Sequence, residues 1–418
     1  MRRRFETISV IGLGYIGLPT AAIFASRKVR VIGVDVNPGT VETINRGEAH
    51  IVEPDLDIAV QSAVQRGYLR ATTTPEPAEA FLIAVPTPFA GTDHEADLSF
   101  VEQAARTIAP VLVSGNLIVL ESTCPVGTTE QMAAWLAEAR PDLTFPQTHG
   151  EASDIRIVHC PERVLPGKVM LELIHNDRVL GGLSPRCSEM ALSLYRTFVE
   201  GECVITDART AEMAKLTENS FRDVNIAFAN ELSVICDKLG IDVWELIRLA
   251  NRHPRVNILQ PGPGVGGHCI AIDPWFIVSR TPDDARLIRT ARGVNDAKPE
   301  WVVAKVEEAI AAHLAREPSK STAGVTICCY GLAFKANIDD LRESPAVEVA
   351  EALGARYPGQ VIAVEPNIET LPERLSGVTL AGLDEASEAD IHVMLVDHDE
   401  FKDRAPPLGE LIDTRGVW

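Results

Sequence analysis

Cys269 ends a glycine-rich segment, Gly262-Pro-Gly-Val-Gly-Gly-His-Cys269, and Asp273 follows four residues later. A cysteine thiolate adds to aldehydes, and the adduct can be oxidised to a thioester that water then hydrolyses. Glycine runs usually bring backbone close to a ligand, which favours a catalytic thiol; the alternative is a small buried core residue. Asp273 is spaced to orient a proton acceptor or a water. We do not assign His268 as the base, because alternate residues of an extended loop point apart.

A dinucleotide-binding fingerprint opens the chain. Gly12-Leu-Gly14-Tyr-Ile-Gly17 joins a predicted strand to a predicted helix, and Asp35 ends the next predicted strand. The glycines allow a tight turn and close approach of a pyrophosphate, while a carboxylate at Asp35 binds ribose hydroxyls. Val36 and Asn37 follow instead of an arginine, which favours NAD over NADP; the alternative is a glycine-rich turn without a ligand. A thiol paired with a hydride acceptor predicts four-electron oxidation of an alcohol to a carboxylate.

Lys215, Asn219 and Arg222 stand at i, i+4 and i+7 of a predicted long helix, and therefore on one face. One interpretation is a solvated charged stripe. The other is a largely buried helix, in which the lysine and the amide stabilise an oxyanion or move a proton. The second interpretation rests on three neighbouring apolar residues: Leu216, Phe221 and Ile226.

A second cationic segment lies near the C-terminus, between Tyr330 and Pro345, and carries Lys335 and Arg342. The pattern of a strand, a glycine turn and a helix start is typical of anion binding, and the two cations suit a diphosphate. The alternative is an ordinary cationic loop.

Alternating predicted strands and helices in the first half indicate a parallel, doubly wound sheet, with ligands at the carboxyl ends of the strands. Thr87 and Thr123 follow two such strands and are expected beside a cofactor. A long helix over 210–239, with Asp207 as its cap and Gly240 as its end, leads to a second, smaller α/β region. The predicted fold class is α/β: two Rossmann-like doubly wound domains joined by a central helical segment with a long connecting helix. The expected boundaries are 1–205, 206–315 and 316–418.

The net charge of −20 over 418 residues argues against nucleic acid or an anionic membrane surface as a partner. No apolar run is long enough to cross a membrane, and no secretory signal is recognised. The eight cysteines contain no CxxC pair. Reduced thiols in a cytoplasmic protein are therefore expected.

Taken together, the motifs resemble those of the UDP-glucose/GDP-mannose dehydrogenase family, in order and over nearly the whole chain. The segments that carry this resemblance are Gly12–Gly17, Val85–Pro88, Glu121–Thr123, Cys160–Glu162, Lys215–Asn219, Gly262–Cys269 with Asp273, and Gly331–Pro345. The resemblance implies a UDP-sugar oxidised at C6 to a uronate with reduction of two NAD, for bacterial surface polysaccharide precursors. No metal is implied.

The resemblance also implies roles for individual residues. Cys269 would be the nucleophile and Lys215 the proton donor and acceptor. Asn219 and Asp273 would assist the oxyanion and the water, and Glu162 would act in thioester hydrolysis. The central helices would form a homodimer, in which Arg255 reaches the neighbouring subunit's site.

The implied ligand contacts form two sets. The residues that would touch NAD are Gly12, Gly14, Tyr15, Ile16, Gly17, Asp35, Thr87, Thr123 and Arg342. Those that would hold the UDP-sugar are Arg163, Val164, Lys215, Asn219, Arg222, His253, Arg255, Gly266, Phe334 and Lys335.

One departure bears on the sugar. UDP-glucose dehydrogenases usually carry an acid four residues after the Glu162 position, where this chain has Pro166, and Arg163 directly follows Glu162. This favours an acetamido sugar, and we predict UDP-N-acetyl-D-mannosamine, with UDP-glucose and UDP-N-acetylglucosamine as alternatives. Two other functions stay open: a two-electron NAD dehydrogenase with a structural Cys269, and a non-catalytic NAD-binding scaffold.

Overall fold

The computed structural model describes residues 5–90, 94–267 and 269–418, so His268 lies outside the described residues. The chain divides into two compact units, Met1–Thr217 and Glu218–Trp418, and each has its own parallel sheet. One long helix, Ala208–Leu239, continues across the boundary between them.

The first unit alternates strands and helices along the described part of its chain. Its elements, numbered in chain order, are β1 (Thr7–Ile11), α1 (Gly17–Ser26), β2 (Arg30–Val34), α2 (Pro38–Asn45), α3 (Leu56–Gln65), β3 (Leu69–Thr72), β4 (Ala80–Ile83), β5 (Phe89–Ala90), β6 (Glu95–Ala96), α4 (Ser99–Ile108), β7 (Leu117–Leu120), α5 (Thr128–Ala139), α6 (Pro146–His149), β8 (Arg156–His159), α7 (Val169–His175), β9 (Arg178–Gly182), α8 (Pro185–Tyr195), β10 (Cys203–Asp207) and the start of α9 (Ala208–Leu239).

Eight of these strands form one sheet in the order β10-β9-β8-β7-β4-β1-β2-β3. Its described strand pairs are parallel, except that β8 and β9 run antiparallel. Leu82 packs into the core on one face, whereas Phe81 and Ile83 pack into the core on the other, as the two-residue period of a strand requires. Helices cover both faces, as parallel sheets require.

Helix α9 confirms the prediction of one long helix. The backbone N–H of Thr210 donates to Asp207 Oδ1 at 2.9 Å, and Gly240 adopts the left-handed φ of +67° that ends many helices. The expectation that Phe221 would be buried is wrong in the single chain, where this ring is 68% exposed while Leu216 is fully buried. The helix buries one face only, and Phe221 stands on the other.

The second unit places helices before a smaller sheet. Its elements after α9 are α10 (Val243–Ala250), α11 (Asp273–Arg280), α12 (Arg286–Arg316), β11 (Thr326–Tyr330), α13 (Pro345–Arg356), β12 (Gln360–Val364), β13 (Thr379–Leu380), α14 (Leu383–Ala386), β14 (Ile391–Met394), α15 (Asp399–Lys402) and β15 (Glu410–Asp413). The strands form an all-parallel sheet in the order β13-β12-β11-β14-β15.

Adjacent Cys328 and Cys329 point into different cores on the two faces of this sheet. The predicted α/β class, with two Rossmann-like parallel sheets, is therefore confirmed. Helix α12, which contains Pro299, was not predicted. Among the described residues, no helix combines the length and the apolar character that a membrane span needs.

Candidate active site

The turn after β1 has the geometry of a nucleotide-binding turn. Gly12 adopts a φ of +87°, and a Cβ there would lie 2.5 Å from the carbonyl oxygen of Ala84. A Cβ at Gly17 would lie 1.8 Å from the carbonyl oxygen of Gly12, whereas one at Gly14 would face open space. Gly12 and Gly17 are thus required by the protein's own packing, and Gly14 leaves room for a ligand.

Three further predicted cofactor residues surround this turn. The N–H of Leu13 donates to Asp35 Oδ2 at 3.0 Å, which holds the carboxylate at the end of β2. Thr87 Oγ1 donates to the carbonyl oxygen of Thr123 at 2.6 Å, so the two threonines meet at the carboxyl edge of the sheet as predicted. Tyr15 is exposed, and the first turn of α1 has no acidic side chain to repel an anion. A dinucleotide therefore fits here.

Lys215 and Glu162 form a buried ion pair in the first unit. Lys215 Nζ lies 3.0 Å from Glu162 Oε1, and both side chains are about nine-tenths buried. The backbone N–H of Val164 donates to Glu162 Oε2 at 2.9 Å, so the glutamate is held on both oxygens. Arg163 is half-buried and donates to the carbonyl oxygen of Asp177. The solvated-stripe interpretation is wrong for Lys215, since the helix face that carries it is buried.

Two glutamates that the sequence analysis did not identify anchor the loop after Glu162. Glu53 accepts the N–H groups of Gly167 and Val169 at 2.9 and 2.7 Å, and Glu172 accepts that of Leu165 at 2.8 Å. Buried backbone N–H groups need such acceptors. Glu53 lies more than a hundred residues away, and no local pattern could have identified it.

A second buried carboxyl lies at the end of β7. Tyr195 donates its hydroxyl hydrogen to Glu121 Oε1 at 2.6 Å, and both side chains are fully buried. Burial raises the pKa of Glu121. The Arg178 guanidinium, also buried, stands 5.5 Å from the centre of the Tyr195 ring. The motif Glu121–Thr123 thus has a structural role in addition to its predicted contact with a cofactor.

Cys124, His159 and Glu212 form a buried group whose possible metal-ligand atoms lie within 4.8 Å of one another. Burial lowers the pKa of His159 to about 3, so its ring is neutral. Glu212 accepts the N–H groups of Gly127 and Thr129 at 2.6 and 2.7 Å, and thereby caps the start of α5. The sequence analysis predicted no metal, and the role of Glu212 as a cap requires none.

In the second unit, Asn219, Asp273 and Cys269 are adjacent. Asn219 Nδ2 donates to Asp273 Oδ2 at 2.5 Å, and both side chains are buried. The backbone N–H of Asp273 donates to the carbonyl oxygen of Cys269 at 2.9 Å, which closes a turn at the start of α11. The Cys269 side chain is partly exposed, unlike that of most cysteines in the chain. The predicted nucleophile is therefore accessible and stands beside a buried carboxylate–amide pair.

A buried polar network leads to the cysteine segment. Arg292 Nη1 donates to Asp223 Oδ1 at 2.6 Å, and Asn295 Nδ2 donates to the same oxygen at 2.8 Å. Asn230 Nδ2 donates to Asn295 Oδ1 at 2.9 Å, and Asn230 Oδ1 accepts the N–H of Gly262 at 2.9 Å. The network connects α9 and α12 to the first residue of the Gly262–Cys269 segment.

The glycines before Cys269 pack against the protein itself. A Cβ at Gly266 would lie 2.3 Å from the carbonyl oxygen of Glu343, and one at Gly267 would lie 3.0 Å from the ring of Phe334. A Cβ at Gly264 would lie 2.8 Å from Pro345 and 3.4 Å from the carbonyl oxygen of Asn295. The expectation that the glycine run mainly admits a ligand needs correction, because these glycines admit the neighbouring loop of residues 331–344.

That loop differs from the predicted pattern. Fourteen residues separate β11 from α13, so the glycine turn does not lead directly into a helix. Lys335 and Arg342 are exposed on the loop, and Arg342 pairs with Asp340 at 2.6 Å. A buried carboxylate, Glu365, lies at the end of β12 beside the start of this loop. Burial alone would raise the pKa of Glu365, but hydrogen bonds from His398 and from the N–H groups of Leu332 and Ala333 lower it to about 2.

The remaining predicted substrate residues lie at the surface of the single chain. Arg222 is exposed on α9, and His253 and Arg255 are exposed in the segment after α10. The N–H of Arg255 donates to His253 Nδ1 at 3.3 Å. The sequence analysis assigned these three residues to the substrate set through the family resemblance, and this assignment stays a prediction.

Each unit thus contributes chemistry. The first has the nucleotide-type turn and the buried Lys215–Glu162 pair, and the second has the accessible thiol with its Asn219–Asp273 pair. A hydride acceptor, a proton carrier and a nucleophile are the components that stepwise oxidation of an alcohol needs.

Family models match almost the whole chain. The NAD binding domain of the UDP-glucose/GDP-mannose dehydrogenase family matches residues 6–199, and its central domain matches residues 209–297. The UDP binding domain of the same family matches residues 328–418.

Individual relatives agree with this match. A UDP-N-acetyl-D-mannosamine dehydrogenase of Yersinia pestis is 67% identical, over 99% of both chains. An NDP-N-acetyl-D-galactosaminuronic acid dehydrogenase of Ralstonia nicotianae is 62% identical, over 99% of this chain and 96% of its own. The solved UDP-D-ManNAc dehydrogenase of Pyrococcus horikoshii superposes with a TM-score of 0.87 at 38% identity, over 99% of this chain and 96% of its own.

The first turn generates a paired prediction. Gly12→Ala should lower the Tm, because its Cβ meets the Ala84 carbonyl and its φ is strained, at a cost of roughly 1–3 kcal/mol. Gly14→Ala, whose Cβ meets nothing, should keep the wild-type Tm but weaken NAD binding about tenfold by obstructing the pyrophosphate. Thermal unfolding and calorimetric NAD titration measure the two effects. Wild-type NAD affinity in Gly14→Ala would remove this turn from the cofactor site.

Proposed function

This chain belongs to the UDP-glucose/GDP-mannose dehydrogenase family, and we propose that it oxidises UDP-N-acetyl-D-mannosamine at C6 to the uronate with two NAD reduced per sugar. It is an NAD-dependent nucleotide-sugar dehydrogenase. One observation carries the detailed proposal. Helix α9 carries both Lys215, which is paired with buried Glu162, and Asn219, which is bonded to buried Asp273 near the accessible Cys269.

NAD, when bound, supplies the acceptor for one hydride in each of two oxidations. The turn of Gly12–Gly17 would hold its pyrophosphate, and Asp35 its adenosine ribose. Thr87 and Thr123 would lie beside it at the carboxyl edge of the sheet, where they already contact each other. Tyr15, Ile16 and Arg342 complete the proposed set.

Lys215 would carry the proton of the first oxidation. Once Nζ has released a proton, the resulting amine takes the C6 hydroxyl proton as the alcohol becomes an aldehyde, and the ammonium formed again is paired with Glu162 at 3.0 Å. Burial makes this pairing necessary, since an unpaired charge there would be costly. Asn219, one turn further on the same face, would stabilise the oxyanion formed next.

Cys269 would retain the aldehyde for the second oxidation. Its thiolate sulfur forms a bond to C6, the carbonyl electron pair moves to oxygen, and Lys215 returns a proton to that oxygen. Loss of the second hydride from C6 to NAD, with the hydroxyl proton passing back to the Lys215 amine, would leave a neutral thioester. Asp273 is connected to Cys269 through its backbone and to Asn219 through its carboxylate, so it would position both groups.

Hydrolysis of the thioester would use Glu162. A water oxygen forms a bond to C6, the carbon–sulfur bond breaks, Cys269 leaves as a thiolate, and Glu162 takes the proton from the water. The N–H of Val164 holds the second oxygen of this carboxylate and so directs the first toward Lys215.

The acetamido group of the sugar would meet the loop after Glu162. That loop presents Arg163 and Val164 and has Pro166 where an acid would stand in glucose-specific relatives. An arginine and backbone N–H groups can bind the acetamido carbonyl, and Val164 can cover its methyl group. The related Ralstonia enzyme is named for N-acetyl-D-galactosaminuronic acid, a sugar acid that differs from the manno form in its configuration at C2 and C4. The manno configuration of the substrate is therefore the most specific part of this proposal.

The UDP part would be held in the second unit. Phe334 and Lys335 lie on the loop that packs against Gly266 and Gly267, so uridine and diphosphate contacts would reach the cysteine segment from one side. Arg222, His253 and Arg255 are the remaining proposed contacts. The division of the chain into 1–205, 206–315 and 316–418 remains part of this proposal.

We propose a homodimer formed through α9. Four large apolar side chains on this helix are exposed in the single chain, at spacings of seven, seven and four residues: Phe221 (68%), Phe228 (53%), Ile235 (43%) and Leu239 (65%). Such a spacing places them in one stripe, and contiguous exposed apolar surface marks interfaces. Arg255 would reach the partner's substrate across it. A cytoplasmic location is proposed as well, since none of the eight cysteines forms a disulfide.

The stoichiometry tests the reaction. Incubation with UDP-N-acetyl-D-mannosamine and excess NAD should yield two NADH per uronate and no free aldehyde, measured by absorbance and mass spectrometry. UDP-glucose, UDP-N-acetylglucosamine and UDP-N-acetylgalactosamine should show kcat/KM values lower by as much as ~10⁴-fold, because unpaired buried donors reject analogues. One NADH per sugar would favour the two-electron alternative. A faster galacto substrate would correct the sugar while keeping the reaction.

Substitution of the thiol tests the covalent step. Cys269→Ala should bind NAD and UDP-sugar normally but lose uronate formation by ~10³-fold or more, as removal of a nucleophile does in other covalent enzymes. Cys203→Ser is the matched control, because Cys203 is the other partly exposed cysteine. Steady-state rates and ligand titrations should separate the two variants. Near-normal uronate production by Cys269→Ala would return this residue to a structural role.

Disruption of the stripe tests the dimer. Phe221→Asp combined with Phe228→Asp should convert the protein to monomers in sedimentation velocity runs, because buried, unpaired carboxylates are costly at an apolar interface. Leu408→Asp is the control, since Leu408 is 91% exposed and lies outside the stripe. A dimer that survives the double substitution, with an unchanged sedimentation coefficient, would place the interface elsewhere.

A further inference from the structure

The two units repeat one backbone device. Gly12 follows β1 with a φ of +87°, and Gly331 follows β11 with a φ of +83°. The N–H of Gly12 donates to the carbonyl oxygen of Val34, and that of Gly331 to the carbonyl oxygen of Val364, both at 2.8 Å. Each turn therefore leaves its first strand and bonds to the end of the neighbouring one in the same way.

A carboxylate side chain follows the neighbouring strand in each unit and accepts hydrogen bonds from the glycine turn. Asp35 accepts the N–H groups of Leu13 and Asn37, and Glu365 accepts those of Leu332 and Asn367. Asp35 is half-buried, whereas Glu365 is only 4% exposed. The second acid is therefore covered by the protein at the place where the first is open for a ribose.

His398 is the side chain that covers it. His398 Nε2 lies 3.0 Å from Glu365 Oε2, and both side chains are fully buried. Nδ1 of the same ring accepts the backbone N–H of Asn337 at 2.9 Å. A ring nitrogen that accepts a hydrogen bond carries no hydrogen, so the ring is neutral, and its Nε2–H donates to the carboxylate.

We propose that His398 is a positioning residue for the substrate loop: it takes the place of a nucleotide on the second turn and uses Nδ1 to hold the loop at Asn337. The role of that loop in binding the UDP-sugar rests on the proposed function. The bond to Glu365 orients the ring, and the bond from Asn337 transmits that orientation to the backbone two residues after Lys335.

The geometry at Asn337 shows why a specific acceptor is needed. Asn337 adopts a φ of +63°, which costs energy in a non-glycine residue. Its side chain and Asp399 exchange two hydrogen bonds: Asn337 Nδ2 donates to Asp399 Oδ2 at 2.8 Å, and the N–H of Asp399 donates to Asn337 Oδ1 at 3.0 Å. Neighbouring residues of the second unit thus hold the strained residue at both its backbone and its side chain.

A displacement of this residue would reach the reacting segment. The same loop carries Phe334, whose ring lies against Gly267, two residues before Cys269. The N–H of Phe334 donates to the carbonyl oxygen of Asp340 at 3.1 Å, which closes residues 334–340 into one turn that does not include Arg342. Loss of the acceptor at His398 Nδ1 would therefore change UDP-sugar binding more than NAD binding.

Two substitutions separate the contacts of Nδ1, with Asn337 and Asn367, from the contact of Nε2 with Glu365. His398→Asn keeps an acceptor near the position of Nδ1, and His398→Gln keeps a donor near the position of Nε2. Hydrogen exchange of the Asn337 amide, followed by mass spectrometry on the full-length protein, should accelerate about tenfold in His398→Gln but much less in His398→Asn. His392→Gln is the matched control, because His392, on strand β14, is another buried histidine of the second unit.

Steady-state kinetics give the second readout. His398→Gln should raise KM for the UDP-sugar about tenfold and change KM for NAD less than about twofold, and His398→Asn should recover most of the loss. Nitrogen NMR of the histidine ring should show the neutral form with hydrogen on Nε2. Equal exchange rates in both variants, or hydrogen on Nδ1, would overturn the proposal. Exchange and NMR need no substrate, so a protein that oxidised no UDP-sugar could still support the positioning role.

Discussion

The buried carboxylate of Asp223 is the constraint on which the second unit depends. It lies in the interior of the unit on α9, and burial raises its pKa even though Arg292 donates to it at 2.6 Å. A buried charge must be paired and hydrogen-bonded, so α12 has to bring both Arg292 and Asn295 to α9. Through Asn230 the same requirement sets the start of the cysteine segment. The start of the segment that carries Cys269 is thus connected to the need to satisfy one acid forty-six residues earlier in the chain.

The Lys215–Glu162 pair follows the same principle with a different outcome. The two side chains neutralise each other in a buried place. The cost of desolvating both charges offsets most of the attraction between them, so such a pair adds little to the free energy of unfolding. Stability therefore does not explain this pair, whereas the proton transfer that we propose for Lys215 does. The ammonium formed in that transfer would be paired with Glu162, which the N–H of Val164 holds in place.

Local signals in the sequence were sufficient for helix α9 and for the first turn, whereas helix α12 was not predicted. Asp207 and Gly240 bound α9 as predicted, and Asp35 lies where the spacing from Gly12 requires. The side chains that hold the site in place could not be found in this way, because Glu53, Asn230 and His398 act on backbone groups dozens of residues away. The predicted burial of Phe221 was wrong for another reason. An apolar residue on a long helix is consistent with a core or with an interface, and periodicity does not distinguish the two.

Pro299 within α12 has a consequence beyond the bend that prolines usually cause. Its nitrogen carries no hydrogen, so the carbonyl oxygen of Asn295, four residues earlier, has no partner from the helix backbone. That oxygen stands 3.4 Å from where a Gly264 side chain would begin. Asn295 therefore lies close to the cysteine segment in two ways: its amide is connected to Gly262 through Asn230, and its carbonyl oxygen, which Pro299 deprives of the usual N–H donor, lies near Gly264. Replacement of Pro299 by a residue with a backbone N–H would let that N–H donate to the Asn295 oxygen. The substitution would then affect the cysteine segment without a direct contact from residue 299.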